Sequence, residues 1–406
     1  MTSKAIPKSW STSYRLGDGC SIKHGFAFKG SLMTTDDNQD LPIVVNIVNF
    51  QYTGGFRLDP TKIQRYVGTL PDEYVLRSND VLVVMTCQTP KGEILGIPGR
   101  IPRDGRIYLH NQRMGLVSIK DTDALDLRFL YYLFISSRFN AHLFATATGA
   151  KILHTSPSRI ENYRFSRPPL ATQRKIAAIL SCYDDLIENN TRRIRILEEM
   201  AQLLYREWFV HFRFPGHEGV KMVKGVPEGW EVTKVGNILK RLKPSRAYTA
   251  ADATESGLVP VIDQSRDAFL GFHNNQPDFI ATPQNPMVIF GDHTCKMQMM
   301  VEPFSIGPNV VPFASQKDIP IPYLFHLVRD LVETREYKRH WTELTNKTIV
   351  IAPNELAQEF STFAEPAFAQ IDALTRQSLN LRRTRDLLLP RLVSGEVDVS
   401  ELEIAT

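Results

Sequence analysis

The sequence predicts an α+β fold: two mixed α/β domains joined by two long helices that form an antiparallel coiled coil, a duplicated unit with pseudo-twofold symmetry. The first observation behind this is a helical stripe that occurs twice. Ile176, Leu180, Tyr183, Ile187, Asn190, Ile194, Leu197, Ala201 and Leu204 alternate steps of four and three residues. A shift of 184 gives Phe360, Ala364, Ala367, Ile371, Leu374, Ser378, Leu381, Arg385 and Leu388. Sustained 4,3 spacing marks a coiled-coil seam rather than the broader face of a surface helix. The second observation is a repeated opening: Ile6-Pro7-Lys8-Ser9-Trp10 resembles Val226-Pro227-Glu228-Gly229-Trp230, 220 residues further on. The difference between 220 and 184 makes the second globular region about 36 residues shorter than the first. The third is the run of short β-branched segments between each Pro-x-x-Trp and its stripe. Self-similarity at fixed distance sets the architecture before any local motif is interpreted.

Residues 1–167 form the first domain. Within it, residues 42–50 read as a strand closed by a Gly54-Gly55 turn, residues 80–85 as another, and residues 106–120 as further strand. Apolar residues at helical spacing predict one helix over 127–144. The first long helix occupies 168–213, opened by Pro168-Pro169, with Thr172 suited to cap it. At 1.5 Å per residue, some 40 residues give a rod of about 60 Å. A Gly- and Pro-rich linker covers 214–229. The second domain spans 230–351, with strands at 259–262 and 287–290 and a helix over 323–341. The second long helix covers 352–398, with Asn354 and Glu355 in its first turn and Ser394-Gly395 as its stop. Pro366 predicts a kink in it, or a start only there. A tail, 399–406, follows. On the stripes, Asn190 is either a tolerated polar residue or a register-fixing contact, and Arg385 is expected to snorkel to solvent. Arg192, Arg193 and Glu199 face outward and are available for docking.

The composition is that of an ordinary globular protein, 43% hydrophobic and 23% charged, with a net charge of +4. A mildly basic balance permits an anionic partner without requiring one. Cys20, Cys87, Cys182 and Cys295 are too dispersed for a zinc site and are expected to be reduced thiols of a cytoplasmic protein. The start has no signal-peptide pattern and the apolar runs are too short to span a bilayer.

Catalytic motifs are largely missing. There is no phosphate loop, dinucleotide turn, His-Glu-x-x-His or amino-methyltransferase motif, and His24, His110 and His154 lack metal-ligand spacing. Glu336-Tyr337-Lys338, with Asp318 upstream, has a nuclease-like form, but metal-assisted cleavage needs carboxylates on neighbouring strands. This tripeptide sits in a charge-rich stretch, 329–339, that reads as a solvated helix. Polar loops are better candidates for nucleic-acid contact. Gly25-Phe26-Ala27-Phe28-Lys29 offers Lys29, and the loop at 86–92 offers Gln88 and Lys91. Asn111-Gln112-Arg113 offers Gln112 and Arg113. The second domain offers Arg246, Arg266, His293 and Lys296. Arg reads guanine and Gln or Asn reads adenine through paired hydrogen bonds, while Lys mostly meets phosphate.

Together these features resemble a known family, the specificity subunits of type I restriction–modification systems. The resemblance covers nearly the whole chain. It rests on the paired Pro-x-x-Trp starts, Gly25-Phe26-Ala27-Phe28-Lys29, Ser78-Asn79-Asp80-Val81-Leu82 and Asn111-Gln112. Its longest segment is Pro168-Pro169-Leu170-Ala171-Thr172-Gln173-Arg174-Lys175-Ile176-Ala177, continuing to Tyr205-Arg206-Glu207-Trp208-Phe209-Val210. Leu387-Leu388-Leu389-Pro390-Arg391-Leu392-Val393-Ser394-Gly395 closes the second copy. The resemblance implies two target-recognition domains, each reading half of a split, asymmetric site on double-stranded DNA. It implies a non-catalytic chain without cofactors of its own. Two modification subunits would bind S-adenosylmethionine and methylate adenine, and restriction subunits would use ATP and Mg. The second copy departs in its length, in Pro366 and in lacking a clear counterpart of Gln112. The alternative is a coiled-coil scaffold with two protein-binding modules. A third reading, a self-contained nuclease, requires Mg-dependent cleavage by the chain alone.

Overall fold

A computed structural model describes residues 6–254, 257–264, 269–334 and 338–404. The chain divides into two compact units: Met1–Ile187 with Asn380–Thr406, and Glu188–Leu379.

In the first unit, strand Ser11–Arg15 follows the buried Trp10 and pairs antiparallel with Arg164–Arg167, just before the first long helix. An antiparallel four-stranded sheet has the order Cys20–His24, Met114–Ile119, Val81–Val84, Pro98–Arg100. All four residues of Val81–Val84 are buried, which explains a β-branched run without polar alternation. A second sheet of five short strands contains the parallel pair Ile43–Val44 and Tyr108–Leu109. The strand expected over 42–50 stops early, because Asn46 and Asn49 form a capping box around the 3-10 turn Ile47–Asn49. The helix expected over 127–144 is two helices, Leu127–Ile135 and Ser137–Thr146. Between them the extended Ser136 donates from Oγ to the Leu133 carbonyl at 2.6 Å and caps the second helix by accepting from the Phe139 amide. Apolar periodicity continues across this break, so it left no mark in the pattern.

The first long helix is Leu170–Tyr205. Thr172 is not its cap, since the helix begins two residues earlier and Thr172 lies buried inside it. Gln173 ties the helix start instead, donating from Nε2 to the carbonyls of Pro168 (2.9 Å) and Ala124 (2.8 Å). Ile176 and Leu180 are fully buried in one core with Leu389, Leu392 and Val393 from the end of the second long helix, with Leu388 packed against it. Ile187 is buried; Tyr183 and Leu381 are half-buried. The two helices run antiparallel, with Asp184 opposite Arg385 and Lys175 bonded to the Ser400 carbonyl. Arg385 does not snorkel: it is 8% exposed, its guanidinium held by Asp184 (2.5 Å) and Asp386 (2.8 Å). Tyr132 joins them from the domain, donating to Asp184 Oδ2 at 2.7 Å.

The second long helix ends at Val393, and Gly395 (φ +78°) follows in the left-handed region. A Cβ there would lie 2.7 Å from Pro7 Cδ and 3.1 Å from the Trp10 ring, so the first Pro-x-x-Trp seats on the last helix end. Gly395→Ala is expected to cost about 1–3 kcal/mol through backbone strain and this clash. A denaturant titration of the purified chain checks it.

The second unit repeats this plan. Trp230 packs its ring on Phe209, Phe212 and Phe214, centroids 5.2–5.9 Å away, at the end of the first long helix. That helix finishes in a π-helical turn, Arg206–Val210. Strand Glu231–Lys234 pairs with Thr348–Ile351, just before the second long helix. The four-stranded sheet has the order Leu239–Arg241, Val310–Ser315, Met287–Gly291, Met297–Met300. A three-stranded sheet again holds a parallel pair, Val259–Ile262 with Ser305–Ile306. The helix expected over 323–341 is instead Ile321–Val328 and, separately, Trp341–Asn346, with Asp330 at φ +61° between them. The charge-rich stretch of the nuclease-like tripeptide is not helical where it is described; Glu336 and Tyr337 lie outside the described residues.

Asn354–Val393 is one helix that begins before Pro366 rather than at it. Pro366 and Thr362, whose carbonyl loses its amide partner to the proline, are both exposed residues. Asn190, 4% exposed, donates across the pair to Gln377 Oε1 (3.1 Å) and Ser378 Oγ (3.3 Å), a contact of the register-fixing kind. Phe360 and Leu374 are buried, while Ile194, Leu197, Leu204 and Ile371 are half-buried. As the first helix advances from Asn190 to Tyr205, its partner falls from Ser378 to Phe360, again antiparallel. His326, from the domain helix, stacks on Tyr205 (5.4 Å) and meets Phe360 (5.8 Å) and Phe368 (5.7 Å). Burial pushes its pKa down to about 3, so the ring is neutral.

Candidate nucleic-acid interface

In the first unit, strand register gathers three loops at one end of the four-stranded sheet. His24 lies opposite Gly115, and Val84 opposite Met114. The exits of two strands therefore flank the entry of the strand between them. Backbone bonds tie the loops together: Phe26 N to His110 O (2.8 Å), Gln112 N to Phe26 O (2.9 Å) and Met85 N to Arg113 O (2.8 Å). Lys29, Gln88, Lys91, Gln112 and Arg113 are all exposed on these loops.

Gly25 makes the arrangement possible. A Cβ there would sit 2.2 Å from the Asn111 carbonyl oxygen, so only glycine lets the first loop cross the third. Asn111 is buried and donates from Nδ2 to Asn46 Oδ1 (2.9 Å), while Asn46 donates to Gln64 Oε1 (2.7 Å). His110 is fully buried. Its Nε2 faces the Met114 carbonyl at 2.9 Å, which only accepts, so Nε2 carries the proton. Burial pushes its pKa down to about 4. Beneath the loops His110 is thus neutral and Asn111 and Asn46 are hydrogen-bonded, while the cations of the three loops themselves are exposed.

The 86–92 loop is held from within. The Thr89 hydroxyl donates to Glu93, holding that carboxyl below its ordinary pKa, and lies 3.1 Å from Cys87 Sγ. Asn140 Nδ2 bonds the Leu95 carbonyl (2.9 Å) and the Gly92 carbonyl (3.0 Å). A fourth segment joins the surface, since Leu153–His154 pairs with Thr86–Cys87 and His154 Nδ1 lies 3.2 Å from Thr86 Oγ1. Lys151 and His154 are exposed here. Local sequence gave no signal for either, because their place depends on pairing with a strand more than sixty residues earlier.

The second unit builds the corresponding end from different residues. Gly291 lies opposite Val310, and the loop between Met287–Gly291 and Met297–Met300 is a tight hairpin closed by Gly291 N to Lys296 O (2.8 Å). The buried Asp292 accepts from the Trp341 amide at 2.8 Å. Lys296 and His293 are half-buried, and His293 Nδ1 donates to the Lys338 carbonyl at 2.9 Å. Arg246 is exposed but engaged, paired with Asp252 and stacked over Tyr248 at 4.8 Å. Arg266 lies outside the described residues. Among the described residues, no three His, Cys, Asp or Glu side chains gather as a metal site would need, and no helix is long and apolar enough to cross a membrane.

Comparison with known proteins agrees with this architecture. Residues 7–199 match the family model for the type I restriction modification DNA specificity domain. The MjaIX specificity subunit of Methanocaldococcus jannaschii is 29% identical over 344 residues, covering 77% of this chain and 79% of that protein. The MjaVIII specificity subunit of the same organism is 23% identical over 258 residues, covering 62% of this chain and 54% of that one. In fold, the chain superposes on the crystal structure of a type I restriction–modification S subunit from M. genitalium. The TM-score is 0.57 at 15% identity, covering 97% of this chain and 98% of that one. Residues 7–199 thus resemble the type I restriction modification DNA specificity domain, and over most of its length the chain is similar to type I restriction enzyme specificity subunits.

Proposed function

We propose that this chain reads a bipartite, asymmetric site on double-stranded DNA, one half with each domain, while its paired long helices set the gap between halves. One observation supports this above the others: the same sheet end recurs in both units, with unlike residues on its loops. Gln88, Gln112 and Arg113 stand on the first, and Arg246 and Lys296 on the second. Equivalent frames with different side chains suit two different half-sites. Half-sites read from one face of DNA recur about one turn, roughly 34–36 Å, apart, a span that a helix pair can bridge.

Two modification subunits and the restriction subunits would dock on the chain, and S-adenosylmethionine, ATP and Mg would be bound by those partners in the cytoplasm. Leu186 and Leu387 in the first unit, and Ile196, Met200, Leu203 and Phe363 in the second, leave apolar side chains exposed on the long helices. Such residues suit protein contact, and they would serve a pure scaffold equally. The methylome of the source strain separates the two readings. DNA recognition requires a split methylated-adenine motif that vanishes when this chain is deleted, whereas a scaffold leaves no such motif.

The spacing role has its own test. Four residues inserted into each long helix, after Ile187 and after Leu379, lie between the Asp184–Arg385 and Asn190–Gln377 contacts and break neither. At 1.5 Å per residue they lengthen the pair by about 6 Å, so the methylated motif is expected to gain about one to two base pairs of gap. An unchanged gap would count against a helix-set spacing.

A further inference from the structure

The two units join domain to helices at the same place with opposite chemistry. The domain helices Leu127–Ile135 and Ile321–Val328 align residue for residue: Phe129 with Tyr323, Leu130 with Leu324, Tyr131 with Phe325, Tyr132 with His326. On the long helices, the 184-residue shift carries Asp184 onto Phe368 and relates Arg385 to Ala201. The contacts obey both alignments, since Tyr132 meets Asp184 and His326 meets Phe368. The first joint is therefore a hydroxyl, a carboxylate and a guanidinium; the second is a neutral imidazole among aromatic rings.

We propose that Tyr132, Asp184 and Arg385 are positioning residues that fix the angle at which the first domain presents its half-site, and so restrict the chain to one gap length. This rests on the bipartite reading above. Each Asp184 oxygen has one directional partner: Oδ2 accepts from the domain helix and Oδ1 from the second long helix. One carboxylate thus gives domain and helix pair a shared reference. Hydrogen bonds fix direction more sharply than apolar packing, which tolerates sliding. Arg385 is buried, and the Asp184 side chain is 30% exposed, so the pair is largely shielded from solvent on the arginine's side. Neither Tyr132 nor Asp184 lies in the loops that face DNA, and their loss leaves base-contacting side chains in place.

The test uses the full chain with its modification subunits, methylating a plasmid library in which the gap of the native motif is varied one base pair at a time. Tyr132→Phe and Asp184→Asn are the first variants; in Asp184→Asn, Arg385 keeps Asp386. Wild type is expected to favour one gap over its neighbours by at least about tenfold, comparable to one mismatched base pair. In the variants that ratio is expected to fall below about threefold, with the bases required in both halves unchanged. The triple variant Tyr132→His, Asp184→Phe, Arg385→Ala installs the second unit's residues; it is expected to fold but to stay below about threefold, because its joint packs without the shared carboxylate, and a single gap kept by this variant would overturn the proposal. Variants that keep one gap and merely melt earlier would overturn the proposal and leave a structural role alone. If wild type shows no split motif, the bipartite reading itself falls, and the inference with it.

Discussion

Phe360→Ala is expected to destabilise the second unit by about 3–5 kcal/mol, the range for emptying a buried aromatic site. Phe360 is fully buried on the second long helix. Its ring touches Tyr205 (5.9 Å), Trp208 (6.2 Å) and Phe209 (5.3 Å) from the first long helix, and Tyr323 (6.4 Å) and His326 (5.8 Å) from the domain helix. One side chain therefore holds three helices together. The cavity cannot collapse readily, because each neighbour is anchored by its own helix backbone. Calorimetry of the purified chain should show one transition lowered by many degrees. A shift equivalent to less than about 1 kcal/mol would mean that the cluster repacks around the gap.

Gly25→Ala is the second large effect, and it falls on the candidate interface. The added Cβ meets backbone on every near side: the Asn111 carbonyl oxygen at 2.2 Å, its carbon at 2.3 Å and the His110 oxygen at 2.7 Å. No rotamer relieves a clash with main chain, so the cost is expected at or above the usual overpacking range of about 1–3 kcal/mol. The contact between the Phe26 and His110–Gln112 backbones must open. On the proposed bipartite reading, modification of the native motif should then be lost through the first half-site, while the base requirements of the second half stay unchanged. Hydrogen exchange at the Phe26 and Gln112 amides should rise with it. Gly30→Ala is the control, since nothing lies within 4 Å of its Cβ position. Equal loss of methylation in both variants would show that the loop crossing is not the cause.

Local periodicity made the long helices legible, because burial along a helix repeats every three or four residues whatever the partner. The repeated Pro-x-x-Trp was legible too, though its purpose was not: each tryptophan seats at a helix end, Trp10 on Gly395 at the far end of the chain and Trp230 on the nearby Phe209. Breaks inside apolar stretches went unseen, as at Ser136, where a polar cap interrupts the chain without disturbing its hydrophobic rhythm. Arg385 shows why partners are harder still. A basic residue on a seam reads as solvent-seeking until Asp184, some two hundred residues away, arrives to neutralise it. The exposed loops could be named from composition, but their grouping depended on strand register. His154 joined them only through a pairing that no local pattern encodes.

Synthesis imposes an order on this design. The second unit is one uninterrupted stretch, Glu188–Leu379, whereas the first lacks Leu389, Leu392, Val393 and Val399 from its core until the last residues emerge. At about 5–20 residues per second on the ribosome, the opening 187 residues wait roughly 10–40 s for their final helix turn. Throughout that interval the apolar side chains that meet Leu389, Leu392, Val393 and Val399, Ile176 and Leu180 among them, lack those partners.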